Sequence, residues 1–204
     1  MFTSTKIIEL GSCAFRQPNA DSHCKFIHGY RLTAKFWFRS ETLDHNNWVV
    51  DFGGLKPLKK ELQDQFDHTT CISRTDPKLE QFKRLRDEGV CDLRIMDGVG
   101  IEKFAEYCHG VADEFVGVTT DMRCRCVAVE VFEHENNSAI YSLPAKELTN
   151  DKREDVFSVP EQEPVATEPE NAFSVPVKQK TPAPLNCKKS TNWIDKESTN
   201  TWGI

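Results

Sequence analysis

The stretch Leu32-Thr33-Ala34-Lys35-Phe36-Trp37-Phe38 decides the fold. Every second residue from Leu32 onward is apolar, so one face of an extended chain would carry only Leu, Ala and Phe. This alternation predicts a β-strand with one face on a core. Residues 6–15 are also largely apolar and predict a partner strand, with the polar residues 17–25 as the loop between the two strands.

Three helices are predicted downstream of this strand pair. The first follows Gly53-Gly54, the second begins at Asp76-Pro77 with Asp as its N-cap and ends at Gly89, and the third covers residues 102–115. Their apolar stripes, which we expect to be buried, are Leu55, Leu58, Leu62 and Phe66, then Leu79, Phe82 and Leu85, then Phe104, Cys108, Val111 and Phe115.

Two further strands complete the predicted elements. A short one is expected over residues 48–52, after the break at Asn46-Asn47, and a longer one over residues 123–133, with Val127, Val129 and Val131 on one face. Strands at both ends with helices between them, without βαβ alternation, predict an α+β fold with an antiparallel sheet.

The chain is expected to divide into a folded domain, residues 1–148, and a tail, residues 149–204. Six of the 10 prolines follow residue 150, and residues 154–170 carry acids but no base, a composition typical of segments that are disordered when alone. Phe157-Ser-Val-Pro160 recurs as Phe173-Ser-Val-Pro176, and a Ser-Thr-Asn motif followed by Trp also occurs twice. The repeats indicate either docking motifs for a partner protein or for neighbouring subunits, or a duplicated linker.

Composition excludes several classes of protein. The net charge of −6 disfavours a nucleic-acid-binding protein, which needs a basic surface. No apolar run is long enough to span a membrane, and the N-terminus lacks a basic-then-apolar signal segment, so a cytoplasmic protein is expected. The eight cysteines are irregularly spaced and form no C-x-x-C motif, which favours buried, reduced thiols.

Cys24 and His28 form the first candidate for chemistry. They lie four residues apart in the predicted loop between the first two strands. An adjacent imidazole or metal would lower the pKa of the Cys24 thiol and make it a base or nucleophile. The alternative is an ordinary polar loop.

Two further candidate sites, each with a carboxylate, lie later in the sequence. Asp67 adjoins His68 at the end of the first predicted helix and could orient the imidazole for proton transfer. Alternatively, His68 is simply favoured there by the helix dipole. Glu133 ends the last predicted strand, where it could point into a pocket and bind a ring with adjacent N–H donors, unless it belongs only to a polar turn.

In combination, these motifs resemble the 6-pyruvoyl-tetrahydropterin synthase / 6-carboxy-tetrahydropterin synthase family. The matching motifs, in order over about residues 6–141, are Cys24-x-x-x-His28-Gly29-Tyr30, Trp48-Val-Val-Asp-Phe-Gly-Gly-Leu-Lys56, Phe66-Asp67-His68 and the strand that ends in Glu133. The resemblance implies the T-fold, a four-stranded antiparallel sheet with helices on one face. It also implies a homo-oligomer: three subunits form a barrel, and two barrels stack as a hexamer.

The resemblance also implies residue roles. Cys24 would be the catalytic base, Asp67 and His68 a relay pair, and Glu133 the anchor of the pterin ring. Glu102 stands at the Glu of a Thr-x-Glu pattern that frames the pterin site in the family, although it also fits an ordinary acid in the first turn of a helix.

The family holds zinc with three histidines, and this sequence departs from that pattern. His28 matches one ligand, whereas Tyr30 and Phe15 stand at the other two positions. Since catalytic zinc usually takes three protein ligands, the ligand count speaks against zinc. His23 could join Cys24 and His28 around a metal, but Cys24 would then be a ligand and not a free base.

Two functions follow from these residues. The first is a synthase-like protein of pterin or queuosine biosynthesis that binds or acts on a dihydroneopterin-type pterin, with or without a metal. It would be a carbon–oxygen lyase if active. The second is a non-catalytic oligomeric scaffold whose C-terminal tails dock onto partner proteins. Such a scaffold gains avidity because it presents many linked tails.

Overall fold

The structure is a computed structural model that describes residues 1–144. The tail and its repeated motifs therefore lie outside the described residues, as does the expected domain boundary at residue 148. The strands are β1 (Phe2–Phe15), β2 (His28–Ser40), β3 (Thr69–Ser73), β4 (Leu93–Met96), β5 (Cys124–His134) and β6 (Asn137–Ser142). The helices are α1 (Lys56–Phe66), α2 (Leu79–Asp87) and α3 (Ile101–Thr119), and a 3-10 turn covers His23–Lys25.

One sheet contains all six of these strands, in the order β4-β3-β1-β2-β5-β6. The β1-β2, β2-β5 and β5-β6 pairs are antiparallel, whereas β3 pairs in parallel with both β1 and β4. The α+β class is confirmed. The expectation of a four-stranded, wholly antiparallel sheet is wrong, because β3 and β4 extend the sheet at one edge in the parallel direction.

The alternation in β2 places its apolar face on the core. Leu32, Ala34, Phe36 and Phe38 are fully buried, and the rings of Phe36 and Phe38 stack with centroids 6.0 Å apart. Against this face pack α1, through Leu58, Leu62 and Phe66, and α3, through residues that include Phe104 and Cys108. Burial of these large side chains is the main favourable contribution to folding.

Two predicted elements differ from the structure. Residues 48–52 form no strand; they are bends and irregular backbone that lead into a turn at residue 52. The second helix begins at Leu79 and not at Asp76, and none of its residues is buried, with Leu85 37% exposed. Its predicted apolar stripe is therefore not part of the main core. In the third helix, Phe104 and Cys108 are buried as expected, whereas Val111 and Phe115 are half-buried.

Asp76 has a role other than the predicted cap of the second helix. Its Oδ2 lies 3.0 Å from Nε of Arg16, just after β1, and its Oδ1 accepts the Lys78 N–H at 2.7 Å. The Asp76 side chain is fully buried and that of Arg16 is only 19% exposed. The pair therefore ties the segment before α2 to the end of β1. None of the helices in residues 1–144 is long and apolar enough to cross a membrane.

His109 predicts a pH dependence of stability. It is buried in α3, its ring lies 4.9 Å from that of Tyr141, and its Nε2 has no hydrogen-bond partner among the described residues. Burial lowers the pKa of His109, against the opposing effect of the Asp113 carboxylate. Because the folded pKa is lower than the unfolded one, stability is fully present above the unfolded pKa and falls as the pH drops below about 6.5.

We therefore expect the urea midpoint of the wild type to fall between pH 7.5 and pH 5, and to fall less in His109→Asn. The matched control is His45→Asn, which replaces an exposed ring. It should retain the wild-type pH dependence. An identical pH dependence in the wild type and His109→Asn would contradict this assignment.

Candidate functional site

A cavity of about 460 Å³ lies between the loop after β1, the start of α3 and the β5–β6 turn. Four of the residues predicted from the sequence line it: Cys24, His28, Glu102 and Glu133. They come from three separate parts of the chain: residues 24–28, the start of α3 and the end of β5. The fold therefore brings together residues that the sequence alone shows only in order.

The Cys24 backbone is held from two sides. Ser22 caps the 3-10 turn, since its Oγ accepts the Cys24 N–H at 3.3 Å. The Cys24 carbonyl accepts the Gln17 N–H at 2.8 Å. The loop thus fixes the position of Cys24, and its side chain remains partly exposed at the cavity.

His28 is the first residue of β2, and its tautomer follows from its partner. Nδ1 lies 2.8 Å from the Phe26 carbonyl oxygen. Because a carbonyl can only accept, the neutral ring carries its proton on Nδ1 and a lone pair on Nε2. The ring packs against Phe15, at 4.7 Å between centroids, and against Tyr30, at 5.7 Å.

Two carboxylates give the cavity its acidic character. Glu102 lies in the first turn of α3, where the helix dipole favours an acid. Glu133 lies near the end of β5, where its Oε2 accepts the Asn137 side-chain N–H at 3.5 Å. Together they present several acceptor oxygens to a ligand that carries N–H donors.

Gln17 and Gly100 set the position of the start of α3. The Gln17 side-chain amide donates to the Val99 carbonyl at 2.6 Å. Gly100 has a φ of 108°, and a Cβ there would overlap with the Gln17 side chain. Glycine is therefore required at this position, next to Glu102.

Tyr30 lies next to His28 but does not line the cavity of Cys24; it lines a second cavity. Burial, followed by the nearby Glu133 carboxylate and Cys24 thiol, raises the pKa of the Tyr30 hydroxyl. The phenol therefore stays protonated at neutral pH and can donate a hydrogen bond. The second cavity, of about 410 Å³, is lined by Tyr30 together with Ser12, Gly29 and His68.

The Asp67–His68 pair forms, but it does not line the cavity that contains Cys24. Asp67 Oδ1 lies 2.9 Å from His68 Nδ1 and accepts the Ser12 N–H at 3.0 Å. This hydrogen bond from Ser12 is the main reason that the pKa of Asp67 is lowered. The His68 side chain is 85% exposed at the second cavity. Within one chain the relay pair and Cys24 therefore belong to different cavities.

Gly11 is a positioning residue that the sequence reasoning missed. The pairing of β1 with β2 shifts register between Glu9 and Gly11, and Gly11 has a φ of 105°. A Cβ at this position would overlap with the Asp67 carboxylate. The available signal was a glycine inside an otherwise apolar strand pattern, which indicates a bulge or a close approach.

The described residues do not fit the zinc site that the resemblance implies. His23 is exposed and does not line the cavity. Phe15 is buried and presents ring carbons, which cannot ligate a metal. Within residues 1–144, no group of three or more His, Cys, Asp or Glu side chains could hold a metal ion. Cys24, His28, Glu102 and Glu133 therefore share a cavity without supplying the three converging ligands that catalytic zinc usually takes.

The other described cysteines support the expectation of buried thiols. Cys13, Cys71, Cys108, Cys124 and Cys126 are free and buried, whereas Cys24 and Cys91 are partly exposed. Burial raises the pKa of Cys124 to about 11 and raises the pKa values of Cys108 and Cys126 as well. The thiols of Cys108, Cys124 and Cys126 are therefore unreactive at neutral pH.

Comparison with known proteins identifies the family. The sequence model of the 6-pyruvoyl tetrahydropterin synthase family matches residues 9–144. The chain belongs to this family. The resemblance read from the sequence is thereby confirmed.

Two curated members of the synthase family are similar to this chain. The 6-carboxy-5,6,7,8-tetrahydropterin synthase of Rickettsia conorii is 29% identical over 82 residues, 40% of this chain and 59% of that protein. The enzyme of the same name from Rickettsia felis is 28% identical over the same shares of the two chains. This chain thus spans about three fifths of the length of these curated relatives.

Solved structures share the fold of this synthase-family chain. An uncharacterized protein, WS1659 from Wolinella succinogenes, superimposes with a TM-score of 0.61 at 14% identity, over 70% of this chain and 98% of that one. A Plasmodium vivax 6-pyruvoyltetrahydropterin synthase with a catalytic glutamate replaced by cysteine superimposes with a TM-score of 0.51 at 16% identity. The match covers 69% of this chain and 98% of that one. At these identities, the likeness shows the fold alone.

Proposed function

We propose that the protein binds a dihydroneopterin-type pterin in the cavity formed by Cys24, His28, Glu102 and Glu133, and acts on it as a tetrahydropterin-synthase-like lyase. The observation that carries this proposal is the convergence of these four side chains in one cavity of about 460 Å³. This volume lies in the range of small-molecule sites.

The chemistry of the cavity supports a pterin. The pterin ring carries an amino group beside a ring N–H, and a carboxylate can accept both hydrogen bonds at once. Glu133 is the better placed carboxylate for this role, because Asn137 already restrains its side chain. The half-buried His28 ring lines the cavity, backed by the buried ring of Phe15, and gives a flat ligand a surface on which to stack.

Proton transfer in this proposal involves the loop residues. Cys24 removes a proton from the ligand side chain, and the His28 Nε2 lone pair serves as a second acceptor in the same cavity. Glu102 helps to frame the ligand from the start of α3. No step in this proposal passes through a metal.

Because Asp67–His68 and Cys24 lie at different cavities of one chain, their separation has a consequence for how subunits associate. If the relay pair takes part, a second subunit must present it to the cavity of the first. The proposal therefore includes a homo-oligomer, a trimer or hexamer, and native mass spectrometry of the full chain measures the subunit count.

The test is the affinity for 7,8-dihydroneopterin, measured by calorimetry. Glu133→Gln is expected to weaken binding by about tenfold or more, because it removes a charged acceptor worth about 1.5–3 kcal/mol. The matched control is Glu135→Gln, since Glu135 lies two residues further along, in the turn after β5, is exposed and does not line the cavity. It should bind like the wild type.

Equal affinities in the wild type, Glu133→Gln and Glu135→Gln would contradict the proposed site. Release of triphosphate from 7,8-dihydroneopterin triphosphate, measured on the wild type, separates turnover from binding alone. A protein that binds no pterin in either experiment would favour the scaffold function that the repeated tail motifs indicate.

A further inference from the structure

We propose that this chain has replaced the zinc site of its family with an aromatic wall, formed by Phe15, His28 and Tyr30, and that its cavity binds the ligand without a resident metal. The part that concerns the ligand rests on the proposed function. The part that concerns the metal stands independently of it, because it follows from side-chain packing.

The first step in the argument is the packing of Phe15. Its ring lies 4.7 Å from that of His28 and 6.1 Å from that of Tyr30, both measured between centroids. On its other side it meets Phe104 edge-on at 5.2 Å, and Phe104 in turn meets Phe66 at 5.1 Å. The wall is therefore continuous with the core, where Phe15 fills closely packed space and presents only ring carbons, which cannot ligate a metal.

The second step concerns the donors that remain. His28 uses Nδ1 to donate to Phe26, which leaves Nε2 as its one nitrogen for a ligand. Cys24, Glu102 and Glu133 also line the cavity, whereas His23 does not. These side chains do not converge on one point, since within residues 1–144 no group of three or more His, Cys, Asp or Glu side chains could hold a metal ion. Catalytic zinc usually takes three protein ligands.

The third step concerns the contacts that the aromatic wall offers to a ligand in place of a metal. Phe15 and His28 both line the cavity, and the half-buried His28 ring, backed by the buried Phe15, suits a flat heteroaromatic ligand. Tyr30 contacts His28, with ring centroids 5.7 Å apart, and lines the cavity that contains His68 instead of the one that contains Cys24. A phenol ring therefore occupies a position at which the family has a histidine ligand.

The experiment measures zinc in the full chain after incubation with equimolar zinc and removal of unbound metal. The wild type and Tyr30→Phe, which keeps the ring, are expected to retain less than about a tenth of a zinc ion per chain. The double variant Phe15→His/Tyr30→His restores three histidines and is expected to gain zinc towards about one ion per chain. Thermal melting checks that this variant folds, because Phe15 is buried.

Tyr30→His alone gives a second, milder test, because Tyr30 is only half-buried. It should retain more zinc than Tyr30→Phe. About one zinc ion per wild-type chain, lost in His28→Ala, would overturn the proposal whatever the other variants do.

A chelator separates this proposal from the proposed function. The affinity of the wild type for 7,8-dihydroneopterin should change by less than about twofold when EDTA is added, and a loss of about tenfold or more would overturn metal-free binding. If the wild type holds no zinc and binds no pterin, the replacement of the zinc site by the aromatic wall is supported. The proposal that the ligand is a pterin is then overturned.

Discussion

Replacing Asp76 with alanine is expected to lower the free energy of unfolding by about 3 kcal/mol. The Asp76 carboxylate is fully buried and lies 3.0 Å from the Arg16 guanidinium. Its removal leaves a largely buried positive charge without this partner and also leaves the Lys78 N–H without its acceptor at 2.7 Å. Urea denaturation of the full chain measures the loss.

The matched control for this experiment is Asp97→Ala. Asp97 also pairs with an arginine, Arg74, at 2.9 Å, but the two side chains are 89% and 65% exposed. Exposed ion pairs contribute little to stability, so the midpoint should stay close to that of the wild type. If both variants lose the same stability, burial is not what makes the Arg16–Asp76 pair important.

The second large effect is expected for Gly11→Ala, with a loss of about 2–4 kcal/mol. Two causes add: a φ of 105° is unfavourable for alanine, and the new Cβ overlaps with the Asp67 carboxylate. Asp67 would have to move away from Ser12 and His68, so the position of the His68 ring should change as well. Chemical denaturation and the NMR resonances of His68 report the two consequences separately.

Gly89→Ala separates the two causes. Gly89 has a φ of 74°, yet no atom lies within 4 Å of the position that its Cβ would take. Only the backbone strain remains there, and we expect a loss of about 1 kcal/mol with unchanged His68 resonances. Similar losses in the two variants, with His68 unaffected in both, would show that the close approach of Asp67 to Gly11 is not important for stability.

The spacing of apolar residues along the sequence explains which strands and helices could be predicted. The alternation over residues 32–38 predicted the buried face of β2, and the four-residue spacing of Leu58, Leu62 and Phe66 predicted α1. By contrast, β3 and β4 contain five and four residues. Strands this short carry almost no periodicity, so the parallel extension of the sheet could not be recognised.

The site shows the same division between local and long-range information. Cys24 and His28 are close in sequence, and their shared cavity followed from the motif. That Asp67–His68 belongs to another cavity depends on contacts of Asp67 with Gly11 and Ser12, which lie more than 50 residues away. The same applies to Asp76. Its sequence context, before Pro77, indicated a helix cap, and only the folded chain shows Arg16 as its partner.

The distribution of the cysteines makes the cavity accessible to chemical labelling. Of the seven described thiols, five are buried, and only Cys24 and Cys91 are partly exposed. Replacing Cys91 and the tail residue Cys187 with serine would leave Cys24 as the site at which a thiol-reactive fluorophore attaches first. A dye at Cys24 would sit at the rim of the cavity and compete with whatever enters it. Its attachment rate would therefore report occupancy for any small molecule in a screening library, before any reaction is known.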